Sequence, residues 1–276
     1  MGEADELRAK RAELERILRA CGSICIGYSG GVDSVFLAVT AVDVLGADRV
    51  LAVTGRSDAY PAVQHRTALD IVRSFGVPHM EIGTEELSDP RYTANPANRC
   101  YFCKTELWSK LIPLAAERGL AVVADGANAD DAGDYRPGAR AGREQGIRSP
   151  LREAGLTKRD IRTLSRERGL PTWDQPAAPC LSSRLPYGLA VTPERLRQVE
   201  AAEEAVRRLG FREFRVRHHG DAARIEVAPD ELARATSHGA ALAGALEPIG
   251  FRRVLLDVEG YRRGALNEPL VALKAS

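Results

Sequence analysis

The stretch Ile24-Cys25-Ile26-Gly27-Tyr28-Ser29-Gly30-Gly31-Val32-Asp33-Ser34-Val35-Phe36-Leu37-Ala38-Val39 decides the fold. Residues suited to a buried strand break at a hydroxyl and two glycines, then reopen as an apolar helical run. A strand-turn-helix junction of this kind aims several backbone N–H groups at one point at a helix N-terminus, which makes an anion site. Gly30 and Gly31 let the backbone approach a phosphate with no Cβ in the way, while the Ser29 and Ser34 hydroxyls and the helix dipole add donors and positive potential. A nucleotide phosphate is the expected ligand. The stretch matches neither the dinucleotide fingerprint G-x-G-x-x-G nor the Walker pattern ending in Gly-Lys-Ser/Thr, so it supports neither an NAD site nor an ordinary P-loop. A plain Gly-rich turn accounts for any one of these glycines but poorly for the whole hexapeptide 29–34.

Working outward, Leu7, Leu14, Ile17 and Leu18 form a helical stripe that ends at Gly22. Downstream, residues 49–54 are expected as a strand, 62–75 as a helix, 79–82 as a third strand, 107–118 as a helix and 121–124 as a short strand ending at Asp125-Gly126. The alternation predicts an α/β fold with a parallel sheet covered by helices on both faces. In such sheets ligands bind beyond the carboxyl ends of the strands, where both the Ser29–Ser34 loop and Asp125-Gly126-Ala127-Asn128 would fall. The composition shifts after Pro186-Tyr187-Gly188, and Thr192-Pro193-Glu194 opens a helix with an N-cap and a proline at its first position. The boundary is placed there, giving domains 1–188 and 189–276. Beyond it, Leu209-Gly210-Phe211-Arg212 and Ile249-Gly250-Phe251-Arg252 echo one another, each preceded by a helical stretch and leading into strand-like residues (214–217 and 254–258). With residues 223–227 between them, a small α+β domain with an antiparallel sheet is expected.

The chain has 276 residues and a formal net charge of +1, without the basic excess of a protein held to nucleic acid mainly by phosphate contacts. A small-molecule substrate is favoured. The acidic start Met1-Gly2-Glu3-Ala4-Asp5-Glu6 and the lack of a long apolar run give the expectation of a cytoplasmic protein. In a reducing compartment its five cysteines are better read as ligands, nucleophiles or core residues than as disulfides. Cys21, near a helix end, and Cys25, inside an apolar strand, are expected in the core. Cys100-Tyr101-Phe102-Cys103 has a spacing that lets two thiolates reach one metal. Cys180 lies between prolines in Pro179-Cys180-Leu181-Ser182-Ser183-Arg184-Leu185-Pro186, away from any periodic apolar pattern.

The hexapeptide 29–34 resembles the SGGxDS motif of the PP-loop ATP pyrophosphatases, which split ATP between its α and β phosphates and adenylate a substrate. Together with Asn98-Arg99-Cys100-Tyr101-Phe102-Cys103-Lys104, Asp125-Gly126-Ala127-Asn128-Ala129-Asp130-Asp131, Asp134-Tyr135-Arg136-Pro137-Gly138 and Cys180-Leu181-Ser182-Ser183-Arg184-Leu185-Pro186-Tyr187-Gly188, it resembles one family, the ATP-dependent sulfur transferase LarE. The resemblance extends over essentially the whole chain, through residues 215–219 and 223–227.

The resemblance implies a PP-loop ATP pyrophosphatase domain followed by a small α+β domain. It implies a substrate, pyridinium-3,5-biscarboxylic acid mononucleotide, whose carboxylates become thiocarboxylates in nickel-pincer nucleotide biosynthesis. Ser29, Gly30, Gly31, Asp33 and Ser34 would hold ATP, with Mg²⁺ neutralising phosphate charge and Asp33 either serving the phosphate-metal geometry or capping the helix. Cys180 matches the family's sulfur-bearing cysteine. With Cys100 and Cys103 it resembles the three-cysteine type, in which Cys100, Cys103 and Cys180 hold a [4Fe-4S] cluster. Arg215 and Arg217, alternating along a strand, share one face and would clamp a substrate phosphate; the alternative is a solvated basic face. Arg184 would meet a carboxylate or phosphate, or pin the cysteine loop. Glu203 and Glu226 become interdomain or metal contacts, against the alternative of surface carboxylates. His218 and His219 are adjacent and would face opposite ways on a strand. A homo-oligomer, with a hexamer among the candidates, is also implied.

Three other readings stand beside this one: sacrificial transfer of the Cys180 sulfur, a PP-loop tRNA thiolase, and a non-catalytic nucleotide-binding zinc protein. The near-neutral charge argues against the thiolase, and the zinc protein leaves Cys180 unexplained.

Overall fold

A computed structural model describes residues 2–133, 137–177 and 179–262. These gather into two compact units, the described residues of Met1–Tyr92 and Asn98–Ala178 in one and those of Thr93–Ala97 and Pro179–Ser276 in the other.

In the first unit, α1 (Glu3–Cys21), β1 (Ile24–Gly27), α2 (Val32–Leu45), β2 (Val50–Arg56), α3 (Ala62–Ser74) and β3 (His79–Gly83) alternate. After the short α4 (Pro90–Thr93) the chain continues through α5 (Arg99–Glu117), β4 (Val122–Ala124), α6 (Pro137–Glu144), α7 (Pro150–Glu153) and α8 (Lys158–Glu167). The four strands are parallel in the order β3-β2-β1-β4, with Ile24 facing Val50 on one side and Val122 on the other. The α/β fold read from the sequence is therefore the one observed. The chain builds outward from β1 to β3 and then returns to lay β4 on the other flank of β1, so the strand order reverses between β1 and β4, the place where such sheets bind ligands.

Strand alternation explains how β1 is covered on both faces. Ile24 and Ile26 join Leu14, Leu18, Val35, Leu37 and Ile161 in one core, whereas Cys25 joins Leu51, Val53, Trp108 and Leu111 in another. Each such aliphatic side chain stabilises the fold by about 1.5–3 kcal/mol relative to exposure. Cys21 and Cys25 are buried, and burial pushes the Cys25 thiol up to about 12, as expected for core cysteines. Helix α5 begins eight residues before the start read from its apolar stripe, because Cys100, Tyr101, Phe102 and Cys103 occupy its first turns without making a one-sided pattern.

In the second unit, α9 (Pro193–Arg208) opens with the Thr192 hydroxyl accepting from Arg195 N, and Pro193 sits at its first turn. Strands β5 (Phe214–His219) and β6 (Ala222–Val227) form an antiparallel hairpin closed by Gly220-Asp221. The expected fully antiparallel sheet is corrected at β7 (Arg253–Leu256), which pairs parallel with β6. The reason is the connection: α10 (Leu232–Ser237) and α11 (Gly239–Leu246) intervene, and a crossover of that length returns the chain in the same direction. Ala202, Val206, Phe214, Val216, Ile225, Leu242, Leu246 and Phe251 form its core. Among the described residues no helix is long and apolar enough to cross a membrane.

Candidate active site

The Ser29–Ser34 loop leaves the carboxyl end of β1 and enters α2, as its sequence requires. Gly30 has φ +69°, and a Cβ there would stand 2.5 Å from Ala68 Cβ. Ser34 Oγ accepts from Ser29 N and lies 3.2 Å from Ser29 Oγ, and it donates to Gly31 O at 3.1 Å. From α3 and the turn before it, Gln64 Nε2 and Tyr60 Oη donate to Ser29 O at 2.7 and 3.0 Å. These bonds fix the loop backbone at Ser29. Gly31 caps α2 without a side chain, which leaves the first-turn N–H groups to a ligand.

Asp33, in that first turn, pairs with Lys158 Nζ at 2.6 Å, while its Oδ1 is buried without a hydrogen-bond partner. Lys158 is the first residue of α8; Thr157 caps that helix reciprocally with Asp160, and Lys158 N donates to Asp130 Oδ2 at 2.8 Å. Asp125, just beyond β4, accepts from Ser149 Oγ at 2.7 Å and from Ala127 N at 3.1 Å. A Cβ on Gly126 would lie 3.0 Å from Ser34 N, so the loop after β4 runs against the start of α2. Both expected loops therefore meet at the β1/β4 reversal. Asp134, Tyr135 and Arg136 lie outside the described residues.

None of the five cysteines is in a disulfide. Cys100 is exposed and Cys103 half-buried, one turn apart on α5 and hence on the same helix face. Two soft donors so placed fit one metal group. Within either unit, among the described residues, no three His, Cys, Asp or Glu side chains stand together to hold a metal ion.

Cys180 belongs to the second unit and is half-buried. A single 3-10 turn (Leu181–Arg184) follows it. Arg184 forms a two-pronged pair with Glu203 of α9, at 2.7 and 3.0 Å. Arg217 of β5 holds Glu226 of β6 at 3.0 and 2.8 Å, and Arg224 takes the other Glu226 oxygen at 2.9 Å. Arg215 stacks over the Tyr261 ring, 4.8 Å from its centroid. Burial and then the charge of Arg184 push the Arg215 guanidinium down. Glu203 and Glu226 are buried, not surface carboxylates, and Arg215 and Arg217 are buried too, so the solvated basic face is not what forms. His218 is buried and His219 exposed, as strand alternation requires.

The sequence profile described as NAD synthase matches residues 9–94, from α1 to α4. An uncharacterised protein of Synechocystis sp. is 44% identical over 268 residues, 96% of this chain and 97% of the relative. The pyridinium-3,5-bisthiocarboxylic acid mononucleotide synthase of Lactiplantibacillus plantarum is 37% identical over 264 residues, 96% of each chain. The chain belongs to the LarE family. A more distant relative, an uncharacterised protein of Methanocaldococcus jannaschii, is 26% identical over 87% of this chain and 90% of its own length.

The LarE family expected from the motifs is thus the family found. Residues around the loop that sequence reasoning did not single out are Tyr60, Gln64, Ser149 and Lys158. For Lys158 the local signal existed, since Gly155-Leu156-Thr157-Lys158-Arg159-Asp160 carries a capping pattern that places it at a helix start. Its pairing with Asp33, 125 residues away, is tertiary.

Proposed function

We propose that this LarE-family chain is an ATP-dependent sulfur transferase that adenylates the carboxylates of pyridinium-3,5-biscarboxylic acid mononucleotide and converts them to thiocarboxylates for a nickel-pincer nucleotide cofactor. The observation that carries this reading is the match over 96% of the chain to a relative named as the bisthiocarboxylic acid mononucleotide synthase. The Ser29–Ser34 loop and Cys180 supply the two chemical requirements, a phosphate site and a sulfur atom.

A carboxylate is a poor acyl donor because its oxygen leaves as a strong base. Attack of a substrate carboxylate oxygen on the α-phosphorus of ATP breaks the bond to the β-phosphate, releases pyrophosphate and makes AMP the leaving group. Ser29, Gly30, Gly31 and Ser34 hold the departing phosphates through hydroxyls and backbone N–H groups. Asp33 is assigned to Mg²⁺, a role its buried, unpartnered Oδ1 fits. Sulfur then adds to the acyl carbon and AMP departs. Arg215 of β5 is assigned to the substrate phosphate, whereas Arg217, with Nε and Nη2 on Glu226 and Nη1 on Ser183 O, holds the turn after Cys180. On this division of labour the first unit activates the substrate, and the second, which carries Cys180 and Arg215, completes its binding and presents the sulfur.

Cys100, Cys103 and Cys180 are assigned to a [4Fe-4S] cluster, whose chemistry when bound is the supply of sulfide from an iron that carries no protein ligand. A second reading has the same adenylation with Cys180 giving up its own sulfur and remaining as dehydroalanine. Metal and acid-labile sulfide on anaerobically purified wild type and Cys100→Ala separate the two. About four irons with sulfide, lost in the variant, support the cluster; no metal, with dehydroalanine at position 180 after turnover, supports the sacrificial route. Cys180→Ala abolishes thiocarboxylate formation and leaves ATP binding intact on either route, and undiminished product from that variant overturns both. The reaction is proposed to run in the cytoplasm, where thiols stay reduced, and in a homo-oligomer.

A further inference from the structure

Arg184 lies four residues after Cys180, and its side chain is only 3% exposed. Each of its three nitrogens has a protein acceptor. Nε and Nη2 take the two Glu203 oxygens at 2.7 and 3.0 Å, while Nη1 reaches Pro179 O, Cys180 O and Ser183 Oγ at 2.8, 3.2 and 2.9 Å. A two-pronged grip on a substrate carboxylate or phosphate needs a fork edge facing solvent. Here one edge is on Glu203 and the remaining nitrogen is on the backbone around the cysteine.

The same contacts over-determine Cys180. Its carbonyl accepts from Ser183 N at 3.0 Å, from Ser183 Oγ at 2.8 Å and from Arg184 Nη1, three donors on one oxygen. The carbonyl before it, on Pro179, is also taken by Arg184, and Pro179 has its own φ locked by the ring. Glu203 in turn accepts from Val216 N at 3.3 Å, which ties α9 to β5 through the same carboxylate. At the far end of the turn, Ser183 O accepts from Arg217 Nη1 at 2.8 Å, and Arg217 is fixed by Glu226. Two buried Arg–Glu pairs therefore fasten a four-residue turn to α9, β5 and β6. A group that must reach a reacting carbon gains rate from such fixed placement, and a displacement near 1 Å is costly.

We infer that Arg184 is a positioning residue: paired with Glu203, it fixes the backbone on both sides of Cys180 and so sets where the sulfur is presented, and it does not bind the substrate. This rests on the sulfur-transfer reading above. The test uses Arg184→Lys, which keeps the charge and loses the fork, and Glu203→Gln, which keeps the shape and loses the charge. Three readouts are taken on the full-length protein: substrate-dependent pyrophosphate release, single-turnover thiocarboxylate formation, and iodoacetamide labelling of each cysteine by peptide mass spectrometry on metal-free protein.

In Arg184→Lys the substrate concentration for half-maximal pyrophosphate release stays at the wild-type value, sulfur transfer falls at least about tenfold, and labelling of Cys180 rises while Cys100 and Cys103 are unchanged. Glu203→Gln gives the same pattern and carries the test if the lysine variant does not fold. A raised half-saturating concentration that lysine partly restores, with Cys180 labelling unchanged, makes Arg184 a substrate ligand and overturns the inference. So do wild-type values in all three readouts. Wild-type protein that releases pyrophosphate but makes no thiocarboxylate overturns the sulfur-transfer reading instead, an outcome separable from the others because it appears without any substitution.

Discussion

At position 30 only glycine fits. Its φ of +69° costs an L-residue about 1–2 kcal/mol, and a methyl there would meet Ala68 Cβ at 2.5 Å. Gly30→Ala is therefore expected to lower stability in urea unfolding and to weaken ATP binding in calorimetry; unchanged ATP binding would show that the loop is not the phosphate site. At Asp33 the issue is charge. Lys158 neutralises this carboxylate at 2.6 Å, and on the proposed assignment of Asp33 to Mg²⁺ it would be released to meet phosphate. Loss of a charge-assisted hydrogen bond of roughly 1.5–3 kcal/mol in Lys158→Ala should raise the dissociation constant for Mg-ATP by about tenfold or more, with partial recovery in Lys158→Arg. Binding as tight as wild type in the alanine variant contradicts the assignment. The loop residues 29–34 were legible because their chemistry is local: a hydroxyl, two glycines and a helix start in one hexapeptide. Lys158 and the Arg184–Glu203 pair were not, since long-range pairing leaves no periodic trace.

Secondary-structure elements show the same contrast. Strands β1 and β2 were readable as apolar runs because both sheet faces are covered, so no polar alternation interrupts them, while the edge strand β3 alternates, with Met80 and Ile82 against one core and Glu81 exposed. The parallel direction of β7 was not, because it depends on the α10–α11 crossover rather than on residues of the strand. Strand β5 also carries a pH dependence. His218 is buried, its Nδ1 accepts from Gly220 N at 3.2 Å and its Nε2 lies 2.9 Å from Gln198 Oε1, an arrangement that suits the neutral ring. Burial, with the nearby Arg195 charge, holds its pKa below the usual histidine value. Such a group contributes stability that is present above the unfolded value near 6.5 and is lost as pH falls through the lower folded value. The unfolding midpoint should accordingly drop between pH 7 and pH 5, and part of that drop should disappear in His218→Gln. An identical pH profile in the variant contradicts the role.

For the whole molecule, the family was legible in advance because its motifs are spread in order along the chain, and relatives match 96% of it. The near-zero net charge of +1 matches a small anionic substrate met by a few placed arginines better than a nucleic-acid backbone. The most direct test is to incubate the purified protein anaerobically with Mg-ATP and pyridinium-3,5-biscarboxylic acid mononucleotide, and to follow pyrophosphate and the mass of the pyridinium compound together. ATP-dependent replacement of carboxylate oxygen by sulfur, with one pyrophosphate released for each sulfur gained, is the predicted result. Pyrophosphate release without sulfur in the product, or no pyrophosphate release at all, contradicts it.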